Sequence, residues 1–363
     1  MTQAITHRPS HTPRDTDRER GLMALAERRL LPDALIRLGI RRLLKQRLAQ
    51  EAQGGDAGVQ ERTATLRAQL SQGPIAQQTD AANRQHYEVP ADFYKLALGH
   101  RLKYSACYYP PGVTTLDAAE DAALDLVTQR AQLADGQRIL ELGCGWGSLT
   151  LDMARRYPNA HITAVSNSAS QRAYILDQAN QRGHTNLTII TADINDFDTH
   201  DRFDRAVSVE MFEHLANHTE IMRRVASWLE PAGKFFVHVF SHRRFTYPFE
   251  AQGQSNWMGR HFFTAGLMPA HDYLPGFDRH LRREQDWQLD GTHYQQTAEH
   301  WLQNTDAHRD EIRGLFAQTY GPQHAIRWLQ RWRIFFMACA ELWGYDAGQQ
   351  WGVSHYRFTP AHP

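Results

Sequence analysis

Three proton-accepting side chains stand together at Glu210, Glu213 and His214, in the run Ser208-Val-Glu-Met-Phe-Glu-His214. Offsets of three and four residues place them on one face if the segment makes a helical turn. Grouped carboxylates and an imidazole can hold a cation and take its proton. An amine must lose that proton before its lone pair can attack an electrophile. A helix-start glutamate with a capping histidine would give the same letters, so the chemistry depends on what else the chain brings there. His218 follows His214 at helical spacing and could make a metal pair. No third ligand follows at a diagnostic spacing, and no metal is expected.

A second chemical signal lies upstream in Ile139-Leu-Glu-Leu-Gly-Cys-Gly-Trp-Gly147. Gly143, Gly145 and Gly147 allow a tight turn in which backbone approaches a ligand closely. Several nucleotide-binding families share such glycines. A dinucleotide site wants Gly or Ala where this chain has Ser148, and an acid ending the second strand. That strand ends Val165-Ser166-Asn167-Ser168, with no carboxylate. Glu141 sits just before the glycines, where an acid can meet a ligand's ammonium group. Asp193, after a third strand, can accept from an adenine amino group. Either acid alone reads equally as an ordinary loop carboxylate. At successive strand ends they favour S-adenosylmethionine, whose zwitterionic end suits such a turn better than a pyrophosphate does.

The elements that must position these groups follow from the apolar rhythm. Strands are expected at Arg138–Leu142, His161–Val165, Leu187–Thr191, Phe203–Val209 and Lys234–Phe240. Helices are expected between them at Leu149–Arg156, Ser170–Gln181 and Glu220–Leu229. Strand and helix in alternation mean an α/β fold: a doubly wound, mostly parallel sheet covered on both faces. Residues 242–290 lose the rhythm and carry Pro, Gly and aromatics, as an insertion or cap over one sheet edge would. Two tail helices, around 295–318 and 322–343, precede an extended segment Trp351–Phe358 that reads as an antiparallel edge strand.

Residues 1–20 are polar and expected to be disordered. Residues 21–85 read as a helical extension and 86–363 as the chemical domain. Between residues 22 and 50 apolar and basic positions alternate at helical spacing, interrupted by Pro32, with seven basic residues against two acidic ones. That pattern suits either a helix packed on the main domain with a solvated basic face or peripheral contact with a membrane. Gly54, Gly55 and Gly58 mark a break after it.

Composition narrows the rest. Acidic and basic residues number 40 each, so global charge gives no argument for nucleic acid as a partner. Three distant cysteines, Cys107, Cys144 and Cys339, build neither a disulfide framework nor a zinc site. No apolar run approaches the roughly 20 residues of a membrane span, and the first 20 residues lack a signal-peptide core. A cytoplasmic location is the expectation.

Five ordered motifs then carry a resemblance: His86-Tyr-Glu-Val-Pro-Ala-Asp-Phe-Tyr94, Lys103-Tyr-Ser-Ala-Cys-Tyr-Tyr109, the glycine run, Ala164-Val-Ser-Asn-Ser-Ala-Ser-Gln171 and the Glu210–His214 run. Together the chain, from about residue 22 to 358, resembles the cyclopropane-fatty-acid synthase superfamily of S-adenosylmethionine-dependent methyltransferases. Within it the similarity is to coclaurine N-methyltransferase-like proteins, through Glu210 and Trp351-Gly-Val-Ser-His-Tyr356. The resemblance implies a class I, Rossmann-like methyltransferase fold. It implies Ser166, Asn167 and Gln171 as cofactor contacts, Tyr104 and Ser105 as a segment closing over the cofactor, and Ile194 beside Asp193. It also makes Glu213 and His214 the catalytic pair, joined by Glu210. Homologues often pair, so a homodimer is an expectation.

Two acceptors remain open at this point. A small hydrophobic amine suits the Glu/His trio. The cyclopropane synthases act instead on an unsaturated fatty-acyl chain, with a bound bicarbonate taking the proton, and Glu213, His238 and Tyr294 match three residues of that site. Against it, Ala106 stands at the place of that site's cysteine, with Cys107 after it, and Glu210 replaces a glycine. Tyr87, His238, Trp257, Phe262 and Tyr294 are expected to face the acceptor, with Phe263 beside them; an aromatic wall suits a lipid chain or a cationic amine equally. Cys339 matches a synthase cysteine once regarded as catalytic, but its apolar surroundings read as a core position.

Overall fold

The computed structural model describes residues 21–77, 89–249, 257–263 and 266–361. The expected tail, 1–20, and Tyr87 lie outside the described residues. Three helices open the chain: α1 (Leu22–Glu27), α2 (Asp33–Glu51) and α3 (Gly55–Leu70). The interruption expected at Pro32 is present: the helix breaks after Glu27 and restarts at Asp33 with Pro32 as its cap, a place that a residue lacking an N–H tolerates. Two further helices follow, α4 (Ala91–Ala97) and α5 (Leu116–Ala131), the latter capped by the Thr115 hydroxyl, which accepts from the Ala118 N–H.

The alternation predicted from sequence then appears. It runs β1 (Arg138–Leu142), α6 (Ser148–Arg156), β2 (His161–Ser166), α7 (Ala169–Gln181), β3 (Leu187–Thr191), β4 (Phe203–Val209), α8 (His218–Trp228) and β5 (Leu229–His242). These five strands are parallel. Their near-continuous apolar runs are what a sheet covered on both faces requires. A small ribbon of β6 (Tyr247–Pro248) and β7 (Leu267–Met268) follows, with α9 (Trp257–His261) between its strands. After it come β8 (Leu281–Asp290), α10 (Thr292–Ala307), α11 (Arg309–Tyr320), α12 (Pro322–Trp343) and β9 (Trp351–Pro360).

The main sheet has the order β3-β2-β1-β4-β5-β9-β8. Strand order reverses between β1 and β4, so a crevice opens beyond the carboxyl ends of those two strands. Both chemical signals of the sequence lie at that crevice.

Three expectations need correction. β9 is antiparallel to β5 as expected, but β8 covers its other side, so β9 is interior and β8 is the edge. The stretch 242–290 therefore ends in a sheet strand rather than remaining an insertion throughout. The strand in question, Leu-Arg-Arg-Glu-Gln-Asp-Trp-Gln-Leu-Asp, is largely exposed, and an edge strand facing water needs no apolar run. The first tail helix is likewise two, because the backbone leaves helical geometry at His308.

The N-terminal extension is anchored to the end of the chain. Arg37 donates to Glu299 at 2.6 and 2.8 Å and to Glu341 at 3.0 Å, while Arg41 pairs with Glu341. The expected solvated basic face is thus partly inverted: Arg37 turns toward acidic partners on α10 and α12, while Leu35, Leu38 and Leu43 are exposed. Arg333 bridges Asp33 and Asp306, each at 2.6 Å. Glu27 is fully buried, accepting from Arg331 at 2.9 and 3.2 Å and from the Trp257 indole at 3.0 Å. Removing one partner of a buried ion pair strands the other. Glu27→Ala should therefore cost about 3–5 kcal/mol and lower Tm by on the order of 5–10 °C. A calorimetric scan showing an unchanged Tm would remove this pair from the account of stability. Among the described residues no helix is long and apolar enough to cross a membrane.

Candidate active site

β1 delivers Glu141 and Leu142 to the crevice, and the chain then turns sharply into α6. Gly143 has φ +80° and its N–H donates to Val165 O at 2.9 Å, holding the turn against β2. A Cβ on Gly147 would lie 2.6 Å from the Ile175 side chain, so α6 and α7 approach each other only because that residue is glycine. One cleft opens over this turn. All ten residues expected to hold the cofactor line it: Tyr104, Ser105, Glu141, Gly143, Gly145, Ser166, Asn167, Gln171, Asp193 and Ile194.

The polar groups there are preorganised. Thr150 donates to Glu141 Oε2 at 2.5 Å, and Ser166 donates to Gln171 Oε1 at 2.6 Å. Asp193 Oδ1 accepts from the Asn195 N–H at 2.8 Å, leaving its other oxygen uncommitted in these bonds. Ser148 Oγ, at the start of α6, is buried with no hydrogen-bond partner, in a wall where a ligand's polar group would satisfy it. A buried carboxylate, an orphaned hydroxyl and a glycine turn at a helix start fit S-adenosylmethionine.

Burial pushes the Glu141 carboxyl up to about 7, with the Thr150 hydroxyl opposing. An ammonium favours the ionised form, so a ligand carrying one should displace a proton on binding. Affinity for SAH is then expected to weaken as pH falls through 7, by up to about tenfold per pH unit. The sign for folding is opposite: the folded protein holds this proton above the usual glutamate range, so the unliganded protein loses stability as pH rises from about 4.5 through about 7. Calorimetry in two buffers of different ionisation enthalpy reads the proton; equal heats would refute the coupling.

The acceptor end is built by the close of β4. Glu210 adopts φ +46°, a left-handed turn for a non-glycine residue, and its N–H donates to His238 O at 2.8 Å. That turn aims the carboxylate into a ring of donors. Oε1 accepts from the Ala106 N–H at 2.8 Å and from His238 Nε2 at 3.1 Å, while Oε2 accepts from the Tyr294 hydroxyl at 2.7 Å. Of about four lone-pair sites on a carboxylate, three are thus used. Burial raises the Glu210 pKa, opposed first by Lys103, whose ammonium is itself buried and donates to Ser105 Oγ and Ala106 O.

A single 3₁₀ turn, Phe212–His214, follows. His214 lines the cleft and stacks on Phe263, with centroids 4.9 Å apart. Glu213 lies one layer behind. Its Oε1 accepts from the Phe240 N–H at 3.3 Å, and its Oε2 is buried without a partner. Burial and the adjacent Glu210 hold the Glu213 carboxyl far above the usual range.

The other expected acceptor contacts divide. Tyr294 lines the cleft, stacked on Trp343 at 4.6 Å and 4°. His238 does not reach the cleft; it backs Glu210. Trp257 and Phe262 also sit one layer out. Trp257 is tied to Glu27, and Phe262 stacks on Phe335, which supplies the wall in its place. His218 turns away from His214, its Nε2 donating to Phe212 O at 2.9 Å. The Cys339 thiol is buried and pushed far up by burial, and Cys107 is pushed up to about 12 by the same cause.

Several cleft residues have no signature in the sequence. Ala76 and Gln77 reach the cleft from the extension, while Phe240, Trp301 and Phe335 wall the acceptor end. Ala76 is fixed by Asn195, which exchanges two 3.0 Å bonds with its backbone. Lys103 does carry a signal: it is one of only four lysines and opens the run Lys103–Tyr109.

With this geometry in place, comparisons with known proteins are informative. A family model described as mycolic acid cyclopropane synthetase matches residues 76–349. (S)-coclaurine N-methyltransferase of Thalictrum flavum subsp. glaucum is 35% identical over 327 residues, 88% of this chain and 91% of that protein. The crystal structure of coclaurine N-methyltransferase bound to N-methylheliamine and SAH has a TM-score of 0.90 at 34% identity, covering 93% of this chain and 98% of the other. Cyclopropane-fatty-acyl-phospholipid synthase of Escherichia coli strain K12 is 28% identical over 240 residues, 65% of this chain and 59% of that protein. The chain therefore belongs to the mycolic acid cyclopropane synthetase family and is an S-adenosylmethionine-dependent methyltransferase.

Proposed function

We propose that the protein methylates the nitrogen of a small hydrophobic amine. The observation that carries this reading is the Glu210 carboxylate, aimed at the cleft with three donors on it and one lone-pair site left. S-adenosylmethionine supplies a methyl group already activated on a sulfonium. The chain needs only to hold the acceptor, exclude water and manage its proton. Glu210 pairs with the ammonium through its remaining site and takes the N–H proton, which frees the nitrogen lone pair. Its raised pKa makes it a stronger base than an exposed carboxylate. His214 borders the same space, and Glu213 supports it from behind. Phe240, Phe263, Tyr294, Trp301 and Phe335 offer apolar walls and ring faces to a cation. The ten cofactor-lining residues hold the donor at the opposite end. Relatives named for coclaurine agree with this acceptor class.

Alkene methylation fits poorly. The bicarbonate that the family resemblance implies would need donors such as His238 and Tyr294, and Glu210 already occupies both. With those donors committed to a carboxylate of the chain itself, the site is not arranged to hold that ion.

Incubation with methyl-labelled S-adenosylmethionine tests the reading, using a panel of secondary and tertiary arylalkyl amines alongside vesicles of unsaturated phospholipid. Label on an amine nitrogen is expected. Label on acyl chains, or on no amine, overturns it.

A further inference from the structure

Behind Glu210 a line of buried polar groups runs away from the cleft along one face of the sheet to α5. His238 on β5 and His355 on β9 are direct cross-strand partners. His238 Nδ1 and His355 Nε2 lie 2.9 Å apart, and His355 Nδ1 lies 2.8 Å from Arg130 Nη1 on α5. Both imidazoles are essentially inaccessible, at 3% and 1% exposure. Among the described residues no ion pair joins Arg130 to a carboxylate; its guanidinium rests on the Trp287 ring at 4.9 Å.

The chemistry of the guanidinium fixes every proton in this line. Arginine can only donate, so His355 Nδ1 must accept. His355 Nε2 then carries its hydrogen and donates to His238 Nδ1. His238 Nε2 in turn carries the hydrogen donated to Glu210 Oε1. All bonds point toward the carboxylate. An outward proton path would need each bond reversed, which Arg130 forbids. The line therefore does not drain protons from the site. It delivers the attraction of a remote cation to Glu210 through two neutral, polarised rings.

We propose that Arg130 and His355, acting through His238, are positioning residues that hold Glu210 in its proton-accepting form and orientation. This rests on the reading of Glu210 as the base. Burial supports neutral rings, driving both imidazoles well below their ordinary range. Other groups also face Glu210: Glu213 and His214 from its own segment, Lys103 and Cys107 from the loop before α5, Tyr294 from α10 and Cys339 from α12. Arg130 is near Tyr108, and His355 feels Lys103 as well. None of these is changed in the test.

His355→Phe breaks the line, whereas His355→Gln keeps an acceptor toward Arg130 and a donor toward His238. Arg130→Met removes the cation. The acid limb of kcat/KM against pH, measured with an amine turned over by the wild type, should move up by about one pH unit in His355→Phe and Arg130→Met, with about a tenfold loss on that limb. His355→Gln should stay near wild type, and KM for S-adenosylmethionine should not move. An unmoved acid limb in folded His355→Phe, or equal damage from Gln and Phe, overturns the proposal. A second readout needs no acceptor. Infrared difference spectra of the SAH complex, wild type against Glu210→Gln, report the pH at which the Glu210 carboxylic acid band appears. That pH should rise in His355→Phe, and an unchanged value refutes the line even if no amine is methylated.

Discussion

Glu210→Gln is expected to lower turnover of an amine by on the order of 10²–10⁴-fold, the range of a general base, while SAH affinity stays within about twofold. Glutamine fills the same space but is no base. Its amide would also present N–H groups to a pocket whose members, Ala106 N–H, His238 and Tyr294, already donate. The loss should fall in kcat rather than in cofactor binding, because the ten cofactor-lining residues are untouched. Glu213→Gln makes the contrast. Its carboxyl is held far above the ordinary range and lies behind the wall, so a neutral amide resembles the protonated acid, and a smaller loss is expected. Steady-state kinetics with calorimetric SAH binding on both variants would check this. If Glu210→Gln retains turnover within a few-fold, the proton leaves by another route.

Gly143→Ala should weaken the site from the cofactor end. At φ +80° any side chain is strained by about 1–2 kcal/mol. Its Cβ would also stand 2.8 Å from Met211 Sδ and 2.9 Å from Met211 Cβ. Met211 adjoins Glu210, so relief by moving Met211 would disturb both halves of the site. SAH affinity is expected to fall at least about tenfold, since strain of this size converts at 1.4 kcal/mol per decade. Titration calorimetry measures it directly; wild-type affinity in the variant would mean that the turn is not read by the cofactor.

How far the sequence discloses this arrangement depends on whether a residue's duty is local. β1, β3 and β4 are legible to the residue because each is a short apolar run between turn signals. Part of the cofactor wall is legible because Glu141, Gly143, Gly145 and Asp193 sit at the ends of strands, whereas Tyr104, Ser105, Ser166, Asn167, Gln171 and Ile194 are reached only through the family resemblance. Layers are less visible. Trp257, Phe262 and His238 have the right types for an acceptor pocket, yet each is held one shell back, and composition carries no depth. β8 hides because an edge strand facing water needs no apolar face. The bond between His355 and Arg130 spans 225 residues, and only the register of β9 against β5 makes it.

The ion pairs that fasten the first helices to the last one also set a schedule for biosynthesis. Glu27 and Arg331 are 304 residues apart, as are Arg37 and Glu341, and Asp33 lies 300 before Arg333. At about 5–20 residues per second, the ribosome delivers the later partners roughly 15–60 s after the earlier ones. Until then the nascent amino-terminal helices have no mate, and the aromatic residues Trp301 and Phe335, which wall the acceptor chamber, are missing too. Catalytic competence thus waits until synthesis has passed Glu341, and a polypeptide terminated before that point should possess neither a closed chamber nor settled amino-terminal helices.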